Sequence, residues 1–448
     1  MSSAGAPPPF LRNASGREDI ARELRVAHEA LEQRRGEDAT AAFARVLALD
    51  ADNVAALHFL ALQAVNAGRF DEALPMLEHA VAVDPENLML LKNLGVAYAD
   101  AQRLGPAEQA LTRAITLDPA FFIARLHLGG VLEELGRERE SLIQYFGAVT
   151  QAQTHGRWLS EASTAPAMRQ LVLHAMNRID AGRRRLFTEL LAPLVAAHGE
   201  AALARTMACL EAYLTEVTPQ TADPRQQPRF LYFPGLPATT YFERALFPWY
   251  AQLESNFAVI REELQAVLAD AHGIEPFLVF EAPEQASSYL AGDGAAPSWD
   301  AFFFYRHGER NDDNCARCPR TAALIDALPL VRIREHAPEI CFSFLTPGTH
   351  ILPHRGVTNT RLVTHLPLIV PDDCAIVVGG EKRVWREGEC FSFDDTFEHE
   401  AWNRGTSTRI VMLIDCWNPH LTPIEREAVA LLVAAIGDFN RAAGIVDT

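Results

Sequence analysis

The sequence predicts a multidomain chain, with an α-helical repeat array in its N-terminal third and an antiparallel β barrel or sandwich with flanking helices in its C-terminal half. Three observations carry this. Asp50, Asp84 and Asp118 recur at steps of 34 residues, within L-A-L-D-A-D-N, V-A-V-D-P-E-N and I-T-L-D-P-A-F. From about residue 300, short apolar runs separated by turn signals replace the helical periodicity. At 448 residues the chain is also too long for a single core.

The bulk numbers describe an ordinary globular protein, with 49% apolar residues and a mean hydropathy near zero. A net charge of −18 argues against a nucleic-acid partner, since neutralising phosphates needs a basic face. The first thirty residues hold no apolar signal core, and no run approaches the roughly 18–20 apolar residues of a membrane span. Seven scattered cysteines, an odd number, suit a reduced compartment better than a disulfide framework. A cytoplasmic protein with no membrane span is the expectation.

In chain order, residues 1–19 read as a disordered terminus and 20–155 as three or four repeats. Ala39, Ala73, Ala107 and Ser141 form one small-residue column at the 34-residue step. Ala27, Ala61, Gly95 and Gly129 form another, preceded by Val26, Leu60, Leu94 and Leu128. The array resembles the tetratricopeptide repeat: two antiparallel helices per unit, small residues at their crossing, and Pro85 and Pro119 opening the next unit. No helix pair buries its apolar face alone, so stacking supplies the core. The groove of such an array is a candidate site for a protein or peptide partner, and an orienting scaffold is the plainer alternative. Lys92-Asn93 is too little to define a carboxylate clamp. Residues 156–227 read as amphipathic helices capping the repeats, broken by the Pro-rich stretch T-P-Q-T-A-D-P-R-Q-Q-P-R. His174 lies there on an apolar stripe and reads as packed.

The chemistry sits in 228–425, ahead of a C-terminal helix at 426–448. His354 and His399 lie 45 residues apart, each on a short strand, and Arg409 follows ten residues after the second. Iron(II) chemistry with oxygen uses neutral imidazoles and leaves coordination positions open. The usual ligand set adds a carboxylate in H-x-D/E, but here that position holds Gly356. Asp394, Asp395, Glu398 and Glu400 crowd His399, where one could orient its ring through a hydrogen bond. Arg409 opens the next strand, expected beside that of His399, and a guanidinium there could hold a dicarboxylate. Ser343, on a separate strand, could add a hydroxyl donor.

The stretch from S-F-L-T-P-G-T-H-I-L-P-H-R-G-V-T-N-T-R to F-S-F-D-D-T-F-E-H-E and Arg409 resembles the catalytic domain of the aspartyl/asparaginyl β-hydroxylase family, with motifs P-G-T-H, P-H-x-G, T-N and F-D-D-S-F-E-H-E. The likeness is dense over 343–417 and reaches back to F-P-G-L-P. It implies a double-stranded β-helix (jelly-roll, cupin-like) barrel that uses Fe(II), 2-oxoglutarate and O₂. It also implies iron held by two histidines and no carboxylate, so that His354 and His399 bind the metal. By position, Arg409 and Ser343 would hold the distal carboxylate of 2-oxoglutarate, and His365 would lie near its other end. Tetratricopeptide helices often accompany this domain in the family. The implied reaction is hydroxylation of an Asp- or Asn-type residue of a peptide or protein. One departure bears on the substrate. The chain has R-L-V-T-H where animal members have R-L-R-M-H, so Val363 replaces an arginine associated with the substrate carboxylate, while Arg361 is retained. The same chemistry on a lipid acyl chain or small molecule, and a repeat adaptor with a degenerate barrel, are the rival readings.

The remaining candidates have plainer explanations. His350 reads as structural, and Cys315-x-x-Cys318 as a loop with two thiols, because no second pair sits at zinc spacing. Asp394 and Asp395 read as turn or supporting residues rather than ligands, G-D-G-A-A at 292–296 as a loop, and His420 as a surface or capping residue.

Overall fold

The structure, a computed structural model, describes residues 9–215, 221–279, 287–292 and 297–445. Residues 1–8, and most of the expected loop at 292–296, lie outside them. The chain divides into two compact units, Met1–Arg183 with Phe439–Thr448 and Arg184–Asp438. The division falls inside a helix at Arg169–His198, within the stretch read as cap and linker.

The first unit is a stack of antiparallel helix pairs: α1 (Pro9–Glu32) with α2 (Gly36–Leu49), α3 (Val54–Asn66) with α4 (Phe70–Val83), α5 (Leu88–Asp100) with α6 (Leu104–Leu117), and α7 (Phe122–Glu134) with α8 (Glu138–Thr154). Helix α1 begins at Pro9, so helical structure starts before the disordered terminus expected over 1–19 would end. The repeated D-x-x-N explains the helix starts. Asn53 and Asn87 cap α3 and α5 by accepting from the N–H groups of Ala56 and Leu90, each at 3.2 Å. Their own amides donate to Asp50 and Asp84. The third unit has Phe121 at this position and no side-chain cap. The small columns lie at the helix crossings. A Cβ on Gly95 would come within 2.6 Å of Leu111, and one on Gly129 within 2.5 Å of Tyr145. His174 is only half-buried and pairs with Glu133 at 2.8 Å, so it is not the packed residue expected. An amphipathic stripe reports the side facing neighbours, but one histidine at its edge reaches a carboxylate.

The second unit contains two antiparallel sheets. One has the order β1 (Glu275–Pro276), β3 (Trp299–Arg306), β5 (Ile340–Leu345), β12 (Arg409–Trp417), β7 (Arg361–Ile369), β10 (Phe391–Phe393), with β4 (Glu309–Arg310) on β3. The other runs β2 (Leu290–Gly292), β6 (Thr349–His354), β11 (His399–Asn403), β8 (Cys374–Val378), β9 (Glu381–Arg383). From β5 to β8, and again from β10 to β12, successive strands alternate between the sheets, which is the winding of a double-stranded β-helix.

Alternation along each strand sorts the side chains between two cores. Phe302, Phe304, Phe342, Phe344, Ile410, Met412 and Ile414 face a helix-covered core that includes Leu253, Ile260 and Leu264. Ala301, Phe303, Cys341, Leu345, Val411 and Leu413 face the space between the sheets, with Ile376, Phe393 and Phe397. Ser343, His365 and Arg409 share the parity of this inner set. The F-P-G-L-P stretch is fixed by Asn359, whose side chain accepts from the N–H of Phe233 at 2.7 Å and donates to its carbonyl at 2.9 Å. The C-terminal helix spans Pro423–Ala442, starting slightly before the expected 426.

Candidate active site

His354 ends β6 and His399 begins β11, and the two are directly paired across the strands. Their ring centroids lie 4.1 Å apart. Nδ1 of His354 bonds the carbonyl of Leu352 at 2.9 Å, and Nδ1 of His399 bonds that of Phe397 at 3.0 Å. A carbonyl only accepts, so each Nδ1 carries the proton and each Nε2 keeps its lone pair. Burial lowers the pKa of both rings. That of His399 falls to about 3, with the neighbouring His354 adding to the effect, and Arg229 contributes at His354. Both imidazoles are therefore neutral, the form that binds a metal.

The acidic residues take other roles than the orientation of His399 expected of them, because backbone carbonyls already hold both rings. Glu400 bonds His350 at 2.7 Å, which bears out the structural reading of that histidine. Glu398 pairs with Arg355 at 3.1 Å. Asp394 bonds Gln226 and Thr396, and burial raises its pKa to about 6. Asp395 lies where a side chain at position 356 would go: a Cβ added to Gly356 would overlap its carboxylate. Its Oδ2 lies 3.6 Å from Arg361, and its Oδ1 has no partner among the described residues. No group of three or more His, Cys, Asp or Glu side chains converges as a metal site among the described residues. The protein thus offers two imidazoles.

Arg409 lies on β12, in the sheet opposite β11, and pairs with β5 and β7. The expectation that its strand lies beside that of His399 is therefore wrong, because consecutive strands change sheets. Ser343 lies on the strand next to Arg409, opposite Val411. Arg409 is 2% exposed, and its Nε and Nη1 have no hydrogen-bond partner among the described residues. Burial lowers its pKa to about 10, an effect that Cys374 and Cys341 offset only in part. Uncompensated burial of a guanidinium is costly, so the site suits an anion. The Ser343 hydroxyl accepts from the indole N–H of Trp299 at 2.9 Å, which leaves its own proton to donate. His365 is buried on β7 and accepts at Nδ1 from the indole N–H of Trp385 at 3.1 Å. Trp385 also places its ring under Arg409, 5.1 Å from the guanidinium carbon. The motif reading did not single out Trp299 or Trp385.

The profile of the family described as aspartyl/asparaginyl beta-hydroxylase matches residues 254–419, which include all five of these side chains. This segment is an aspartyl/asparaginyl β-hydroxylase domain. A tetratricopeptide-repeat profile matches residues 60–120. An aspartate beta-hydroxylase domain-containing protein 2 of Xenopus tropicalis is 33% identical over 47% of this chain and 55% of its own length. The aspartyl/asparaginyl beta-hydroxylase of Homo sapiens is 37% identical over 40% of this chain and 22% of its own length. An ornithine lipid ester-linked acyl 2-hydroxylase of Rhizobium tropici is 33% identical over 44% of this chain and 66% of its own length. The matches thus span about half of the first relative and about a fifth of the second.

Within the hydroxylase domain, Val363 is 7% exposed and belongs to the apolar core between the sheets. Arg361 is bonded to Asp415 and lies near Asp395. Cys315 lies in a short helix (Asp312–Arg317) and Cys318 joins it to the next (Pro319–Asp326), so the expected loop is helical; both thiols are buried and free, and burial pushes that of Cys318 up to about 12. His420 packs near Phe242.

Proposed function

We propose that the hydroxylase domain is an Fe(II)- and 2-oxoglutarate-dependent dioxygenase acting on an Asp- or Asn-type residue of a peptide or protein. The observation that carries this reading is the pairing of two neutral, backbone-oriented imidazoles with a buried guanidinium that has unpartnered N–H groups. His354 and His399 would hold the metal through Nε2. When bound, Fe(II) with 2-oxoglutarate and O₂ supplies the oxidising power to hydroxylate an unactivated C–H bond. Arg409 offers its free N–H groups and Ser343 its hydroxyl proton to the far carboxylate of the co-substrate. His365 stands ready to donate at the other end. The apolar core between the sheets keeps water away from these contacts. With Gly356 in place of a carboxylate, and Asp395 in the space beside it, the two imidazoles would be the ligands this chain supplies, and the metal would offer Lewis-acid and redox chemistry there.

The second reading changes only the substrate. Val363 places an apolar side chain where an acidic substrate would be met by an arginine, and one similar protein is described as an acyl 2-hydroxylase. An acyl chain is therefore the alternative. The repeats favour a protein substrate bound through their groove.

Titration of 2-oxoglutarate into anaerobic Fe(II)-loaded protein tests the site. Arg409→Ala should weaken binding about tenfold or more, and unchanged affinity would refute the placement. Mass spectrometry of Asp- and Asn-containing peptides and of acyl lipids after turnover assigns the substrate: a gain of one oxygen on lipid alone would replace the peptide reading.

A further inference from the structure

Trp385 follows β9 and is 3% exposed. It touches both His365 and Arg409. Its indole N–H donates to Nδ1 of His365 at 3.1 Å, and its ring lies beneath the Arg409 guanidinium at 5.1 Å. An Nδ1 that accepts a hydrogen bond carries no proton, so the neutral His365 must carry its proton on Nε2. Nε and Nη1 of Arg409, on the neighbouring strand, have no hydrogen-bond partner among the described residues. Phe391 and Phe393 hold the His365 ring edge-on, with centroids 5.6 and 5.2 Å away. The ring is therefore packed on both sides, and the indole N–H holds Nδ1 as the acceptor.

We propose that Trp385 is a positioning residue for the anionic co-substrate, holding His365 as an Nε2–H donor and Arg409 in plane so that both present donors to one molecule. This rests on the 2-oxoglutarate reading above. Without the indole N–H, the His365 proton can move to Nδ1. Its Nε2 would then turn a lone pair toward a carboxylate, exchanging an attractive contact for a repulsive one. The ring face acts separately, since a flat aromatic surface stabilises a desolvated guanidinium.

The test uses the full chain loaded with Zn(II), which is diamagnetic and redox-inert. Trp385→Phe keeps a ring under Arg409 and removes the N–H. ¹⁵N spectra of labelled histidine should show His365 as the Nε2–H form in the wild type and lose that assignment in Trp385→Phe. The Kd for 2-oxoglutarate should rise about three- to tenfold. The Phe substitution should cost far less in a His365→Gln background, which a merely structural role would not produce. If Trp385→Phe does not fold, His365→Gln alone carries the test through the same rise in Kd, and an unchanged Kd overturns the proposal. Wild-type protein that takes up no 2-oxoglutarate overturns the co-substrate reading and this inference with it. Wild-type binding, with Trp385→Phe unchanged in tautomer or in affinity, overturns this inference alone.

Discussion

At His354 and His399 the decisive atoms are the two carbonyls that fix Nδ1, since they turn an otherwise weak pair of histidines into two aimed lone pairs. The pH dependence follows from the sign of the shift. The His399 pKa is lowered from 6.5 to about 3, so on acidification the unfolded ring takes up a proton that the folded ring refuses. Its contribution to stability is full above pH 6.5 and is lost progressively as pH falls toward 3. The same shift protects metal binding from proton competition. Zn(II) affinity at pH 6 should stay within about twofold of that at pH 7.5, whereas a pair of unperturbed imidazoles would lose about tenfold. Gly356 permits a second test at this scale. Because a Cβ there would overlap the Asp395 carboxylate, Gly356→Ala should cost about 1–3 kcal/mol in urea unfolding. A neutral substitution would contradict the packing of that turn. His354, His399, Ser343, His365 and Arg409 stood out as candidates in the sequence, because short motifs carry them. The carbonyls that orient the rings were not, because backbone acceptors leave no residue signature. Trp385 was hidden for a different reason: it lies twenty residues beyond His365, after a strand of the opposite sheet, and only the packing of the two sheets brings them together.

Among the elements, the repeats were the most legible, because a fixed step of 34 residues writes the helix crossing directly into the choice of small residues. Gly129 and Gly105 separate that packing role from helix propensity. Gly129→Ala should lower stability by about 1–3 kcal/mol, as its Cβ would press on Tyr145. Gly105→Ala, which meets nothing within 4 Å, should be neutral or stabilising by up to about 1 kcal/mol. Equal effects in urea unfolding would contradict the assignment of the Gly129 column to the crossing. The strands were legible as strands; that Ser343 and Arg409 share one face follows from their pairing in the structure. Their neighbours were misread, because adjacency in sequence suggests a hairpin, whereas this barrel sends β11 and β12 to opposite sheets. That crossing lets histidines from one sheet face the arginine and serine of the other.

For the whole chain, composition and periodicity indicated more than one domain, and the structure shows two compact units, with His354, His399, Ser343, His365 and Arg409 all in Arg184–Asp438. The boundary was less legible, because it falls inside a continuous helix that runs through Gly182 without a break. No helix among the described residues is long and apolar enough to cross a membrane. The net charge of −18 leaves Arg409 a local exception, a buried cation in an acidic molecule. Such a cation is what a dicarboxylate would seek, and in the proposed function it receives 2-oxoglutarate. The most direct measurement is succinate formed from 2-oxoglutarate and O₂ by the purified full chain loaded anaerobically with Fe(II), beside His399→Ala. The account predicts succinate from the wild type, raised by the right substrate, and none above background from His399→Ala. Clean wild-type protein that neither binds iron nor forms succinate, or a His399→Ala variant as active as the wild type, would contradict it.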